Sequence, residues 1–83
     1  MIYTTDIKLN NTFYRRVYKL LSTSRDPIHH ALNKDSASFS LQNAKLILDK
    51  PYVQIISRSK DIKPILGSIT RITGINLLEA EVV

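Results

Sequence analysis

The sequence predicts a single α+β domain over residues 1–83, in which a small antiparallel β-sheet is covered on one face by two main helices, the second a long C-terminal helix. Branched apolar residues near the C-terminus recur at three- and four-residue steps, as on one helix face: Ile62, Ile65, Leu66, Ile69 and Ile72. The segment SASFSLQ, residues 36–42, alternates polar and apolar side chains as a half-buried strand does. Residues 2–9 alternate in the same manner.

The N-terminal strand is predicted to lead into the first helix. Its inward face would carry four alternating residues: Tyr3, Thr5, Ile7 and Leu9. Asn10, Asn11 and Thr12 then supply a turn and an N-cap. The helix is expected to continue to about Leu21, and its predicted buried stripe is Phe13, Val17, Leu20 and Leu21.

The middle of the chain contains one clear strand and one open choice. Asp26-Pro27 is typical of a helix start, which predicts a short helix or turn through Asn33. In the strand over residues 36–42, the three apolar side chains point inward and the three serines outward. Residues 42–44 then form either a hairpin turn or part of a helical face that includes Leu41 and Leu48. Residues 52–57 are rich in β-branched and aromatic residues and predict another strand.

Two endings remain open for the C-terminal helix. Asp61 is its expected N-cap, which places Pro64 at a position where the missing N–H is harmless. The helix either continues through Gly74 to about Ala80, or ends at Gly74 and leaves residues 75–83 to form a last strand. The second ending gives a ferredoxin-like βαββαβ order.

Composition and motifs argue against an enzyme. There is no cysteine, which excludes disulfides, thiolate metal sites and a cysteine nucleophile. His29 and His30 have no nearby ligands to complete a metal site, the carboxylates are scattered, and GSITRITG does not fit a phosphate-binding glycine motif. We therefore expect no catalytic residues, no cofactor and no metal. Because no signal peptide or apolar run of about 18 residues is visible, we expect a cytoplasmic protein without a membrane span.

The distribution of charge and the positions of the glycines predict two interaction surfaces. The net charge is +5, and four basic residues near the N-terminus are candidates for nucleic-acid contacts: Arg15, Arg16, Lys19 and Arg25. Gly67 and Gly74, seven residues apart, would leave one helix side without bulk and let another helix approach. The predicted partner-binding set is Tyr14, Tyr18, Lys63, Gly67, Thr70, Arg71 and Gly74.

Two stretches of the chain resemble the small dimerisation subunit of the KEOPS complex. TTDIKLNNTFYRRVYKLLS, residues 4–22, looks like that family's strand and first helix, and FSLQNAKLIL, residues 39–48, looks like its hairpin. IISRSKDIKPILGSITRITGINLLE, residues 55–79, looks like its last strand and long C-terminal helix.

The resemblance implies a non-catalytic subunit of the machinery that makes threonylcarbamoyladenosine on transfer RNA. Such a subunit would form a homodimer, or a heterodimer with a paralogue, through its sheet and dock its helices on the catalytic subunit. Arg15, Lys19 and Arg25 would then be candidates for contacts with transfer RNA. The alternatives are a ferredoxin-like nucleic-acid-binding domain and a small structural or regulatory protein whose basic face keeps it soluble.

Overall fold

The computed structural model describes residues 1–33, 36–77 and the backbone of residues 81–82, and over these ranges it contains six strands and two helices. In chain order the elements are β1 (Tyr3–Lys8), α1 (Asn11–Thr23), β2 (Ile28–Asn33), β3 (Ser36–Leu41), β4 (Ala44–Asp49), β5 (Tyr52–Ser57), α2 (Lys63–Thr73) and β6 (Glu81–Val82). The predicted α+β class, with an antiparallel sheet and two helices, is confirmed. The predicted length of the second helix is wrong.

The strands form one antiparallel sheet in the order β2-β3-β4-β5-β1-β6. Strands β2 to β5 follow one another as a meander, and β1 lies between β5 and the two-residue β6. The four strands β4-β5-β1-β6, together with both helices, have the order of a split βαβ unit. Strands β2 and β3 extend this unit on one side. The architecture therefore matches the βαββαβ alternative, enlarged by two strands.

Helix α2 ends at Thr73, and Gly74 follows in the left-handed conformation with φ of 72°. The Gly74 N–H donates to the Thr70 carbonyl oxygen at 2.7 Å, as expected for a C-terminal glycine cap. The long C-terminal helix is thus corrected to 11 residues, although residues 78–80 of its predicted continuation lie outside the described ranges. At the start, the Lys63 N–H donates to Asp61 Oδ1 at 3.1 Å, while Ile62 takes the N-cap position.

Helix α1 is rotated relative to the prediction. Its N-cap is Asn10, the first of the three residues predicted to supply the turn and the cap, and Asn10 Oδ1 accepts the Phe13 N–H at 2.8 Å. Val17 and Leu21 are buried as predicted, but Tyr14 completes the buried stripe and Phe13 is 42% exposed. Positions 13 and 14 both lie within one turn of Val17, so the sequence period alone does not choose between them.

Strand β2 replaces the predicted short helix or turn. It pairs with β3, with Ile28 opposite Ser40 and His30 opposite Ser38, and its register shifts between Ala31 and Asn33. All six of its residues are exposed. A strand held by backbone pairing at the edge of a sheet shows no burial pattern in its sequence, and the Asp26-Pro27 signal therefore misled the prediction.

The core lies between the helices and one face of the sheet. The apolar residues of β3 point into it as predicted: Ala37, Phe39 and Leu41 are buried. The serines of β3 lie on the opposite face, although neighbouring side chains also bury Ser36 and Ser38. Gln42, with φ of 54°, starts the tight turn between β3 and β4, so the hairpin alternative is confirmed and the helical one is wrong.

Candidate functional site

The two tyrosines predicted to bind a partner belong to an aromatic cluster between α1 and the sheet. Tyr14 is only 3% exposed, and its ring centroid lies 6.3 Å from that of Tyr18. Tyr18 is half-buried and meets the rings of Phe39 and His29 edge-on at 6.3 and 6.1 Å. Both residues contribute to the packing of α1 on the sheet, and Tyr14 has little exposed surface left for a partner. Their role in docking stays a prediction.

His29 completes this cluster by stacking on Phe39. The ring centroids are 4.7 Å apart and the planes are 17° from parallel. His30 is the next residue of β2 and points to the opposite face of the sheet, because successive strand side chains alternate. The two imidazoles therefore do not share a site. Among the described residues there is no group of three or more potential metal ligands.

The remaining predicted partner-binding residues do not form one surface. An alanine Cβ built at Gly67 would meet no heavy atom within 4 Å, so this part of α2, with the exposed Lys63, is open. Thr70 instead holds the end of the helix, since its hydroxyl donates to the Leu66 carbonyl and accepts the Leu77 N–H at 2.8 and 3.2 Å. Gly74 is the C-terminal cap rather than part of a helix face.

Arg71 is directed towards the loop that follows α1. Its guanidinium lies 3.6 Å from Asp26 Oδ2, and both side chains are more than half exposed. Of the predicted partner-binding residues, Lys63 and Gly67 thus lie on an open side of α2, and the docking role of the set stays a prediction.

The outer face of α1 is basic. Arg15 and Lys19 are exposed and lie one helical turn apart, about 6 Å along the axis. Helix α1 contains no acidic residue, and within the described ranges none of its cations forms an ion pair. Arg25 is exposed in the loop beyond the helix. Two of the four predicted nucleic-acid contacts, Arg15 and Lys19, thus share one face of α1, whereas Arg16 has a different environment.

Arg16 lines a pocket of about 500 Å³ that the sequence did not predict. The pocket lies where the end of β1, the start of α1 and the segment after α2 meet. Its lining consists of Lys8, Leu9, Asn10, Phe13, Arg16 and residues 74–77. Two cations and a partly exposed aromatic ring are present, and no carboxylate occurs among these described residues. Phe13 was the residue that could have indicated this pocket, but the sequence pattern assigned it to the core.

The edge strand β2 exposes two large apolar side chains. Ile28 and Leu32 are 62% and 58% exposed, and β2 is hydrogen-bonded only to β3 within the described chain. The strand contains no charged residue and no proline. Natural sheets usually protect an edge with such residues, so this edge is available for pairing with another strand.

The face of the sheet opposite the helices carries a mixture of polar and apolar side chains. Ile47 and Ile56 are half-buried there, and Tyr52 is 40% exposed. Asp6, opposite Gln54, has one buried carboxylate oxygen, Oδ1, without a hydrogen-bond partner in the described structure. A small pocket of about 190 Å³ lies over these residues.

Within the described residues, neither helix combines the length and the hydrophobicity needed to cross a bilayer. The chain matches no protein-family model, and the searches of curated proteins and of solved structures found no match.

Proposed function

We propose that this chain is a non-catalytic assembly subunit that pairs with another chain through the β2 edge and serves a transfer-RNA modification complex. The exposed, uncharged β2 strand is the observation that carries the assembly role. Within the described residues β2 is an edge strand that pairs with β3 alone, and strand addition at such an edge is a common mode of protein recognition.

The preferred partner is a second copy or a close paralogue. Antiparallel pairing of β2 with itself is isologous, so each chain meets the same surface on the other. No like charges oppose each other, because residues 28–33 carry no Lys, Arg, Asp or Glu. Burial of the exposed remainder of Ile28 and Leu32 contributes about 1–2 kcal/mol per side chain. The register shift after Ala31 limits regular pairing to residues 28–31.

The transfer-RNA modification role rests on the resemblance of residues 4–22, 39–48 and 55–79 to the dimerisation subunit of KEOPS. The short α2 departs from the long helix that this resemblance implied. The open side of α2 at Lys63 and Gly67 is the surface we assign to the catalytic subunit, since a helix can approach closely where no Cβ intervenes.

Light scattering with a matched pair of variants tests the assembly role. Ile28→Lys places a charge on the edge and should convert a dimer, of twice the 9.5 kDa chain mass, to a monomer. Ile2→Lys makes the same change at an isoleucine of similar exposure, 64%, outside β2, and should leave the dimer intact. A wild-type chain that is monomeric at micromolar concentration and purifies from its native cell without a protein partner refutes the proposal. Recovery of a partner other than a threonylcarbamoyl transferase subunit refutes the transfer-RNA modification role alone.

A second candidate, direct nucleic-acid binding, is favoured by the basic face of α1 and by the split βαβ strand order. Arg15 and Lys19 are unpaired within the described structure and lie on one side of the helix. Titrations with transfer RNA and duplex DNA at two salt concentrations should show affinity that falls steeply with salt. The double variant Arg15→Gln and Lys19→Gln should reduce that slope by about 2, whereas Lys63→Gln on α2 should not. Binding that is insensitive to salt excludes this function.

A further inference from the structure

We infer that the pocket beside Phe13 and Arg16 binds a nucleotide, with the base stacked on the Phe13 ring and the phosphate held by the Arg16 guanidinium. This inference goes beyond the assembly role, because the pocket is lined by the end of β1, four strands away from β2 in the sheet order. It also does not require the basic face of Arg15 and Lys19.

The dimensions of the pocket fit a ligand of this size. Its volume of about 500 Å³ lies within the range of small-molecule sites, about 300–1,000 Å³. Three separate chain segments form its walls: the end of β1, the first turns of α1 and residues 74–77. Gly74 contributes no side chain to the wall, and the buried residues Ile75 and Leu77 fix the segment that follows. The site is therefore a cleft between packed elements rather than a mobile loop surface.

Phe13 provides the stacking surface. It is 42% exposed, whereas the other large apolar side chains of α1 are buried or half-buried. Its backbone N–H is held by Asn10 Oδ1, which fixes the start of the helix and hence the position of the ring. Every nucleobase has an apolar face that stacks on an aromatic ring in a sequence-tolerant manner.

Arg16 provides the anion contact. Residues three apart on a helix are neighbours, with Cβ atoms about 5–6 Å apart, so the guanidinium reaches the same side of α1 as the Phe13 ring. It is exposed and has no carboxylate partner in the described structure. A guanidinium binds a phosphate through two parallel hydrogen bonds, and Lys8 is a second basic residue among those that line the pocket. An aromatic ring and an arginine at this spacing match the base and the phosphate of one nucleotide.

Such a nucleotide has two sources: a free mononucleotide or an unpaired nucleotide of an RNA strand. Titrations followed by amide chemical shifts distinguish them, with adenosine 5′-monophosphate, adenosine, inorganic phosphate and a five-residue oligoadenylate as probes. We expect the monophosphate to bind at least tenfold more tightly than adenosine or phosphate alone and to shift the amides of residues 74–77. An oligoadenylate that binds at least tenfold more tightly than the monophosphate assigns the site to RNA, and one that binds no more tightly assigns it to the free nucleotide.

Matched variants identify the site. Phe13→Leu and Arg16→Gln should each weaken binding of the preferred probe at least fivefold. Tyr52→Leu removes an aromatic ring of similar exposure, 40%, from the open face of the sheet, and Arg58→Gln removes an exposed arginine from the loop after β5. Both controls should change the affinity less than twofold. The inference is overturned if no probe binds at millimolar concentration, or if the two controls weaken binding as much as the two pocket variants. Repetition with Ile28→Lys should give unchanged affinities whatever the assembly state.

Discussion

Replacement of Gly67 by alanine should stabilise the free domain. Gly67 is the fifth residue of the 11-residue helix α2, and a Cβ added there meets no heavy atom within 4 Å outside its own helix backbone and neighbours. The methyl group therefore introduces no clash. Alanine restricts the unfolded chain more than glycine does and is favoured in a helix interior by about 0.5–1 kcal/mol.

Gly74 offers the same chemical change with the opposite expected sign. It lies one residue beyond α2 with φ of 72°, and nothing within 4 Å crowds a Cβ there either. The cost of alanine at this position is therefore purely conformational, about 1 kcal/mol. The two variants separate backbone conformation from packing, because neither creates a contact.

Thermal and urea unfolding, both followed by far-UV circular dichroism, measure the two effects. For a domain of this size, a change of about 1 kcal/mol corresponds to a shift of about 4–8 °C in Tm. Gly67→Ala should raise Tm and Gly74→Ala should lower it, with unchanged dependence of the unfolding free energy on urea. A lower stability of Gly67→Ala would refute the reasoning, since it would mean that an atom does occupy the space beside α2.

Gly67→Ala also tests whether α2 docks on another helix. If another helix approaches α2 at Gly67 in the assembled complex, the alanine methyl group meets it there although it meets nothing in the free chain. Gly67→Ala would then be more stable alone and weaker in binding, and Gly67→Leu would fold but not bind.

Three further substitutions test the fold. Asn10→Ala removes the cap on the Phe13 N–H and should reduce the free energy of unfolding by about 1 kcal/mol in urea titrations. Phe39→Ala leaves a cavity at a fully buried site in the aromatic cluster and should reduce the free energy of unfolding by about 3–5 kcal/mol. In thermal melts this loss should appear as a fall in Tm towards room temperature. Asp26→Asn breaks the exposed contact with Arg71 and should change stability by less than about 0.5 kcal/mol in thermal melts at low and high salt.

The sheet was predictable only where it is half-buried. Strand β3 has one side chain in two against the core, and its alternation of serine with Ala37, Phe39 and Leu41 records that geometry. Strand β2 lies at the edge with every residue exposed, so its sequence carries no such record. It forms because its backbone pairs with that of β3, and this pairing is set by the tertiary structure rather than by the local sequence.

The candidate site was hidden by the rotation of one helix. Phe13 and Tyr14 are both compatible with a stripe through Val17, and only the position of the sheet decides which ring is buried. Assignment of Phe13 to the core removed the aromatic wall of the pocket and placed Tyr14 on a docking surface. The basic residues were selected from charge alone, which did not separate Arg16, in the pocket lining, from Arg15, on the outer face of α1.

The two surfaces that we assign to interactions are far enough apart to act at the same time. Strand β2 is the first strand in the sheet order and β1, whose end lines the pocket, is the fifth. Four steps between neighbouring strands, each about 4.8 Å, separate them by roughly 19 Å. Pairing at the β2 edge would therefore leave the Phe13 pocket uncovered in each chain and place the two pockets at the outer ends of a continuous sheet. Because no residue is shared between the surfaces, loss of one function does not predict loss of the other.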